Sequence, residues 1–247
     1  MPLSPISLLL LAYLFLLLPW TAYRSSRLLT RLRAHRDAAD AAGQPSTPIL
    51  PSPARIYLNT LVNMAVLLTL ACLAAREVGV DLFAVPRFGA RELTACFVWF
   101  NVSFAVAMLS RLWRSPQELR AMPWLMLVPR TRNDWLAFTA CAVAAGVCEE
   151  AAYRGMGYNA VRWWIGEQPY SAPAAALLIA LAFALAHWVQ GWKSMVIVFV
   201  KGLLLQALVW QTGTLVGAMV GHAVMDMVLA YRSLGLVRRL EAEGPAT

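Results

Sequence analysis

Trp135-Leu-Ala-Phe-Thr-Ala-Cys-Ala-Val-Ala-Ala-Gly-Val-Cys148-Glu149-Glu150 decides the fold, because it carries an uncharged apolar run directly into two adjacent carboxylates. A run approaching ~20 apolar residues can cross the ~30 Å of hydrocarbon in a bilayer. A charged side chain at mid-membrane costs about 2.5–3.5 kcal/mol on insertion, so the pair at its end needs a reason to be there.

Outward from this stretch, apolar runs of spanning length recur at about Ser4 to Tyr23, Ile56 to Ala75 and Leu93 to Leu109 before it. Three more follow, at about Pro173 to Val189, Ser194 to Trp210 and Thr214 to Leu234. The pattern predicts an all-α, polytopic transmembrane helical bundle of about seven spanning helices. Composition agrees: 60% of the residues are hydrophobic, against the ~45–50% of soluble domains. The Pro and Ser cluster from Gln44 to Pro53 predicts a flexible or extended loop, and Ser115 to Met122 with Val128 to Asp134 a second polar connection. No internal repeat and no soluble domain are evident.

The net charge of +8 could suggest nucleic acid, but the basic residues cluster in short loops between apolar runs. That distribution is positive-inside topology and argues against a nucleic-acid partner. Alternating the seven spans gathers the arginines of 24–55 and 111–132, Lys193, Arg232, Arg238 and Arg239 on one side. This richer side is expected to be cytoplasmic, with the N-terminus outside. No basic residue precedes the first run and no small-residue cleavage site follows it, so it reads as an uncleaved helix. The four cysteines, Cys72, Cys96, Cys141 and Cys148, all lie in apolar segments and say little about redox compartment.

The remaining intramembrane ionisable residues narrow the function. Glu150 and Arg154 are four apart and share a helix face, whereas Glu149 points away from Arg154 and is left for another partner. The Glu150–Arg154 pair alone could equally be a structural knot between helices. His187 and His222, two of only three histidines, fall inside apolar runs and are functional candidates by default. Asp226 lies one turn beyond His222, where it can orient the imidazole, and Phe183 lies one turn before His187. Counting from a turn at Gly166 to Ala172 puts Glu149 and His187 at depths of about 24 and about 21 Å, so the two side chains can meet. Gly213, Gly217 and Gly221 form a small-residue ridge that would let a neighbouring helix approach closely.

The three clusters resemble a known set of motifs. Glu149-Glu150-Ala-Ala-Tyr-Arg154, Phe183-Ala-Leu-Ala-His187 and His222-Ala-Val-Met-Asp226 resemble EExxxR, FxxxH and HxxxN/D of the CPBP family. That family comprises type II CAAX prenyl endopeptidases and bacteriocin-processing, abortive-infection-like proteases. The resemblance covers about Trp135 to Leu234. It implies an intramembrane glutamate-type protease in which Glu149 activates water while His187 and His222 bind water and stabilise the tetrahedral intermediate. Glu150, Arg154 and Phe183 would support the site. Asp226 departs from the Asn of some relatives, because an ionised carboxylate cannot donate a hydrogen bond to an oxyanion. It would then be protonated, or it would orient His222 while the donor lies elsewhere.

These readings divide the chain into N-terminal transmembrane helices and basic loops (1–134), a CPBP-like catalytic core (135–234) and a cytoplasmic tail (235–247). The expected partners are the lipid bilayer and a membrane-associated protein or peptide substrate, in a multi-pass protein of a bacterial inner membrane. No cofactor is expected. Zinc held by Glu149, His187 and His222 is the alternative, since three N/O ligands with an open position suit catalytic zinc. Cys148 acting as a nucleophile with His187 is possible in principle, but cysteine is a common small apolar filler and the family offers no precedent for it. A transporter or proton relay using these residues and Lys201, midway along the sixth run, and a non-catalytic scaffold are the competing functions.

Overall fold

The computed structural model describes residues 3–42, 52–85, 88–120, 122, 125 and 127–242. The connection expected from Gln44 onward lies, through residue 51, outside them. Ser4 opens α1 (Pro5–Ala12) by accepting the Ser7 N–H at 3.0 Å, with Pro5 at the start, where a missing N–H costs nothing. The rod continues through a π-helical stretch, Tyr13–Leu17, into α2 (Leu18–Ala41). Ser52 and Pro53 open α3 (Pro53–Val78) in the same way, and Gly79 ends it in the left-handed region at φ 70°. Next come α4 (Ala90–Leu112) and the short α5 (Pro116–Arg120), a helical turn within the expected polar connection.

Thr131 and Asp134 form a capping box that starts α6 (Arg132–Glu149). The second Asp134 oxygen accepts the Ala54 N–H at 3.2 Å, so one carboxylate fixes the start of α6 against that of α3. The α6 rod does not stop at the carboxylates. It passes through a π-helical turn, Glu150–Gly157, into α7 (Tyr158–Ile165). Then follow α8 (Ser171–Ala186), a 3-10 turn at Trp188–Gln190, α9 (Trp192–Thr212), and α10 (Val216–Ala242).

All seven apolar runs are therefore helical. Five rods are long and apolar enough to cross a membrane: Pro5–Leu32, Pro53–Val78, Ala90–Leu109, Arg132–Ile165 and Trp192–Thr212. The fifth run, α8, is shorter at 16 residues, and the seventh, α10, extends its apolar start into a basic end. The long α6 to α7 rod packs on α3, α8 and α10, with α1 against its π turn and α9 bridging α8 to α4. All eight residues of that turn are buried. By contrast Leu16, Val62, Phe97, Leu136 and Leu181 point outward, an arrangement that suits lipid contact and would be a liability in water.

Glycines set the closest approaches. A Cβ on Gly217 would lie 2.9 Å from Cys96 Sγ, and one on Gly221 would collide with the Trp99 ring, so α4 occupies the small-residue ridge. Gly213 instead ends α9 in the left-handed region at φ 68°. On the other face of α10, a Cβ on Gly146 would meet the Met219 carbonyl oxygen at 2.5 Å and the Ala223 Cβ at 3.0 Å. Backbone cannot yield as a flexible side chain can. Gly146→Val is therefore expected to destabilise the fold by about 1–3 kcal/mol through overpacking. It should also push α10, and His222 with it, away from α6. Thermal unfolding in detergent checks this, and a midpoint equal to wild type would contradict it.

Candidate active site

The buried π turn carries the first group of polar side chains. Such wide turns leave the regular helical repeat and are frequent at functional sites. Small residues allow it here, since a Cβ on Gly155 would meet Leu82 at 2.6 Å and one on Gly157 would meet the Ala152 carbonyl oxygen at 2.6 Å. Arg154 Nη1 donates to Glu150 Oε1 at 3.1 Å, the pairing that the four-residue spacing predicts, and both side chains are buried. The guanidinium lies 4.1 Å from the centre of the Phe183 ring. Its Nη2 faces Gly202, where an added Cβ would come within 3.1 Å.

His222 stands at the centre of the cluster. Its Nδ1 is 2.7 Å from Glu150 Oε1, the same oxygen that accepts from Arg154. An ionised carboxylate only accepts, so Nδ1 carries the hydrogen. The Nε2 atom is 3.7 Å from Glu149 Oε2 and 3.6 Å from Asp226 Oδ2, both too long for a hydrogen bond. The short contact to the imidazole is thus made by Glu150, and Asp226, expected to orient the ring, lies beyond hydrogen-bond distance. The π turn brings Glu150 to α10, and the resulting short bond fixes the ring before Asp226 comes within bonding distance. Glu149 Oε2 is buried and has no hydrogen-bond partner among the described residues.

His187 occupies a different position from the one its place in an apolar run suggests. The α8 helix ends at Ala186, leaving His187 as its C-cap, with Nδ1 2.8 Å from the Phe183 carbonyl oxygen. A carbonyl accepts, so this nitrogen too carries the hydrogen and Nε2 keeps its lone pair. The expected meeting of His187 with Glu149 is not made, since no hydrogen bond or ion pair joins them among the described residues. The expected aromatic contact is made, with the Phe183 and His187 rings 4.6 Å apart. Phe183 also packs edgewise on Tyr153 at 4.9 Å and on His222 at 6.0 Å, so one ring braces both histidines and Arg154.

A cavity of about 350 Å³ reaches this cluster, with Phe183, His187, His222, Asp226 and Lys201 among its lining residues. Its other end lies among Leu119, Val128, Ser194 and Leu236, on the side of the α4–α6 connection. Glu149, Glu150 and Arg154 are not lining residues. Glu149 and Glu150 lie 3.7 and 2.7 Å from His222, which is itself a lining residue, as is Asp226. Among the described residues, Glu149, Glu150 and Asp226 gather around His222, but no group of three His, Cys, Asp or Glu side chains is arranged to hold a metal ion.

Sequence reasoning missed the second partner of Glu150, because His222 lies 72 positions away and no local spacing signals it. It also missed Tyr153, whose buried hydroxyl lacks a partner among the described residues, although its position inside the first motif was a usable hint. Residues 131–228 match the family model described as type II CAAX prenyl endopeptidase, Rce1-like. That span contains every residue of the three motifs. No curated protein and no solved structure matches the chain.

Proposed function

We propose that this integral membrane protein, whose residues 131–228 match the Rce1-like type II CAAX prenyl endopeptidases, is an intramembrane endopeptidase in which Glu149 activates the attacking water. The observation that carries the reading is the free Oε2 of buried Glu149, 3.7 Å from His222 Nε2. That separation is too long for a direct hydrogen bond, so Glu149 keeps an unpaired acceptor for a water that reaches it past His222 from the cavity. Glu149 takes a proton from the water as its oxygen adds to the scissile carbonyl carbon, and the electron pair moves to the carbonyl oxygen. When the tetrahedral intermediate collapses, the C–N bond breaks and Glu149 returns the proton to the leaving amine. Glu150 and Arg154 are positioning residues that hold His222. His187 offers its Nε2 lone pair toward bound water or substrate.

The substrate class is a membrane-tethered protein or peptide, in a bacterial inner membrane. Its cleavable segment must unwind at the site, because a helical backbone keeps its carbonyls hydrogen-bonded. The apolar walls of the cavity, including Ile197, Val198 and Leu229, favour such a guest. The mechanism needs no metal. In this reading Glu149 acts on the water directly, with no Lewis acid required to activate it. Protein reconstituted in vesicles is expected to hydrolyse its substrate at an unchanged rate in chelator and to hold no stoichiometric zinc. Inactivation by chelator that zinc reverses would contradict this and favour a metalloprotease.

A further inference from the structure

We propose that Lys201 supplies the positive charge that holds the oxyanion in the hydrolysis described above, a role that rests on the endopeptidase reading. Three carboxylates surround His222: Glu149, Glu150 and Asp226. The one guanidinium among them, Arg154, is bound to Glu150, covered by Phe183 and absent from the cavity wall. Negative charge developing on a substrate carbonyl oxygen beside Asp226 would meet like charge, and an ionised Asp226 has no hydrogen to offer it. A donor with a positive charge must therefore come from elsewhere in the cavity wall.

Lys201 meets that requirement. It is the tenth of the 21 residues of α9, so each helix end is about 13 Å or more away, farther than its stem can snorkel. It lines the same cavity as His187, His222 and Asp226. Along α9, Ser194, Ile197, Val198 and Leu205 share that lining, while the adjacent Gly202 faces Arg154 and Ala180. Among the described residues Lys201 forms no ion pair within 4.0 Å. An unpaired ammonium at mid-membrane is costly and is a functional candidate by default. The charges then balance through the reaction. As Glu149 takes the proton of water it becomes neutral, and the negative charge passes to the carbonyl oxygen, where the Lys201 ammonium donates a hydrogen bond. Collapse returns the electron pair to the carbonyl as the C–N bond breaks, and the proton moves from Glu149 to the amine nitrogen.

The test uses the full chain in vesicles and a farnesylated peptide ending in a CAAX sequence, the probe suggested by the matched family. Lys201→Met is expected to lower kcat by on the order of 10²–10³-fold, as loss of one oxyanion donor does, with KM changed less than about threefold. Lys201→Arg should keep much of the rate. Adding Asp226→Asn to Lys201→Met should recover at least about tenfold, because the amide restores a donor and removes a like charge. The unfolding midpoint of Lys201→Met should equal or exceed that of wild type, since no ion pair is broken. A wild-type kcat in a folded Lys201→Met, a lost midpoint with no kcat effect, or no recovery in the double variant would overturn the role of Lys201 and leave the endopeptidase reading standing. An unaltered chain that leaves the peptide intact would overturn both.

Discussion

Glu149→Gln is expected to lower kcat by on the order of 10²–10⁴-fold, the range for loss of a general base, while the unfolding midpoint stays near wild type. Glutamine keeps the shape of the side chain but cannot take a proton from water. The substitution breaks no hydrogen bond at Oε2, because that oxygen has no partner among the described residues. Glu150→Gln should behave differently. Its Oε1 holds both Arg154 at 3.1 Å and His222 at 2.7 Å in a buried setting. Weakening it leaves a buried guanidinium without its counter-ion, a loss of about 3–5 kcal/mol for a broken buried pair. The Glu150 variant should therefore lose stability and activity together. Rate measurements beside thermal unfolding separate the two, and equal activity loss in two equally stable variants would refute this division of labour.

The second large effect concerns His222, which joins the carboxylates to the cavity. His222→Ala should remove hydrolysis at least as completely as Asp226→Ala. Combining His222→Ala with Glu150→Gln should cost little further activity, because Glu150 acts on the chemistry through the imidazole and the two form one unit. Asp226→Asn should retain substantial activity. At 3.6 Å from Nε2 the carboxylate does not hold the ring in place, and an amide in its position can donate toward an oxyanion. Full additivity between Glu150 and His222, or an Asn variant at Asp226 as inactive as the Ala variant with its fold intact, would show that the imidazole is held differently.

The helical bundle was legible in the sequence because each span announces itself by length and apolarity, signals that are local. The Glu150–Arg154 pair was legible for the same reason, being set by helical spacing. What spacing could not show is the π turn from Glu150 to Gly157, which keeps the Glu150–Arg154 pair but departs from the regular helical repeat. Nor could it show that Glu150 reaches His222 on α10, a contact made by tertiary packing. Only a helix continuing through residue 187 would carry His187 to the depth of Glu149. In the fold α8 stops at Ala186, and the histidine turns its Nδ1 back onto the Phe183 carbonyl. Asp226 was expected to orient His222 from one turn away, but a neighbour distant in sequence made the shorter bond.

The most direct measurement of the central claim compares protein termini, by mass spectrometry, in membranes holding the unaltered chain and in membranes holding equal amounts of folded Glu149→Gln. An endopeptidase working through Glu149 predicts new termini, arising within membrane-tethered proteins, only where the unaltered chain is present. Identical termini in the two membranes, or the same new termini in both, would contradict hydrolysis by Glu149-activated water.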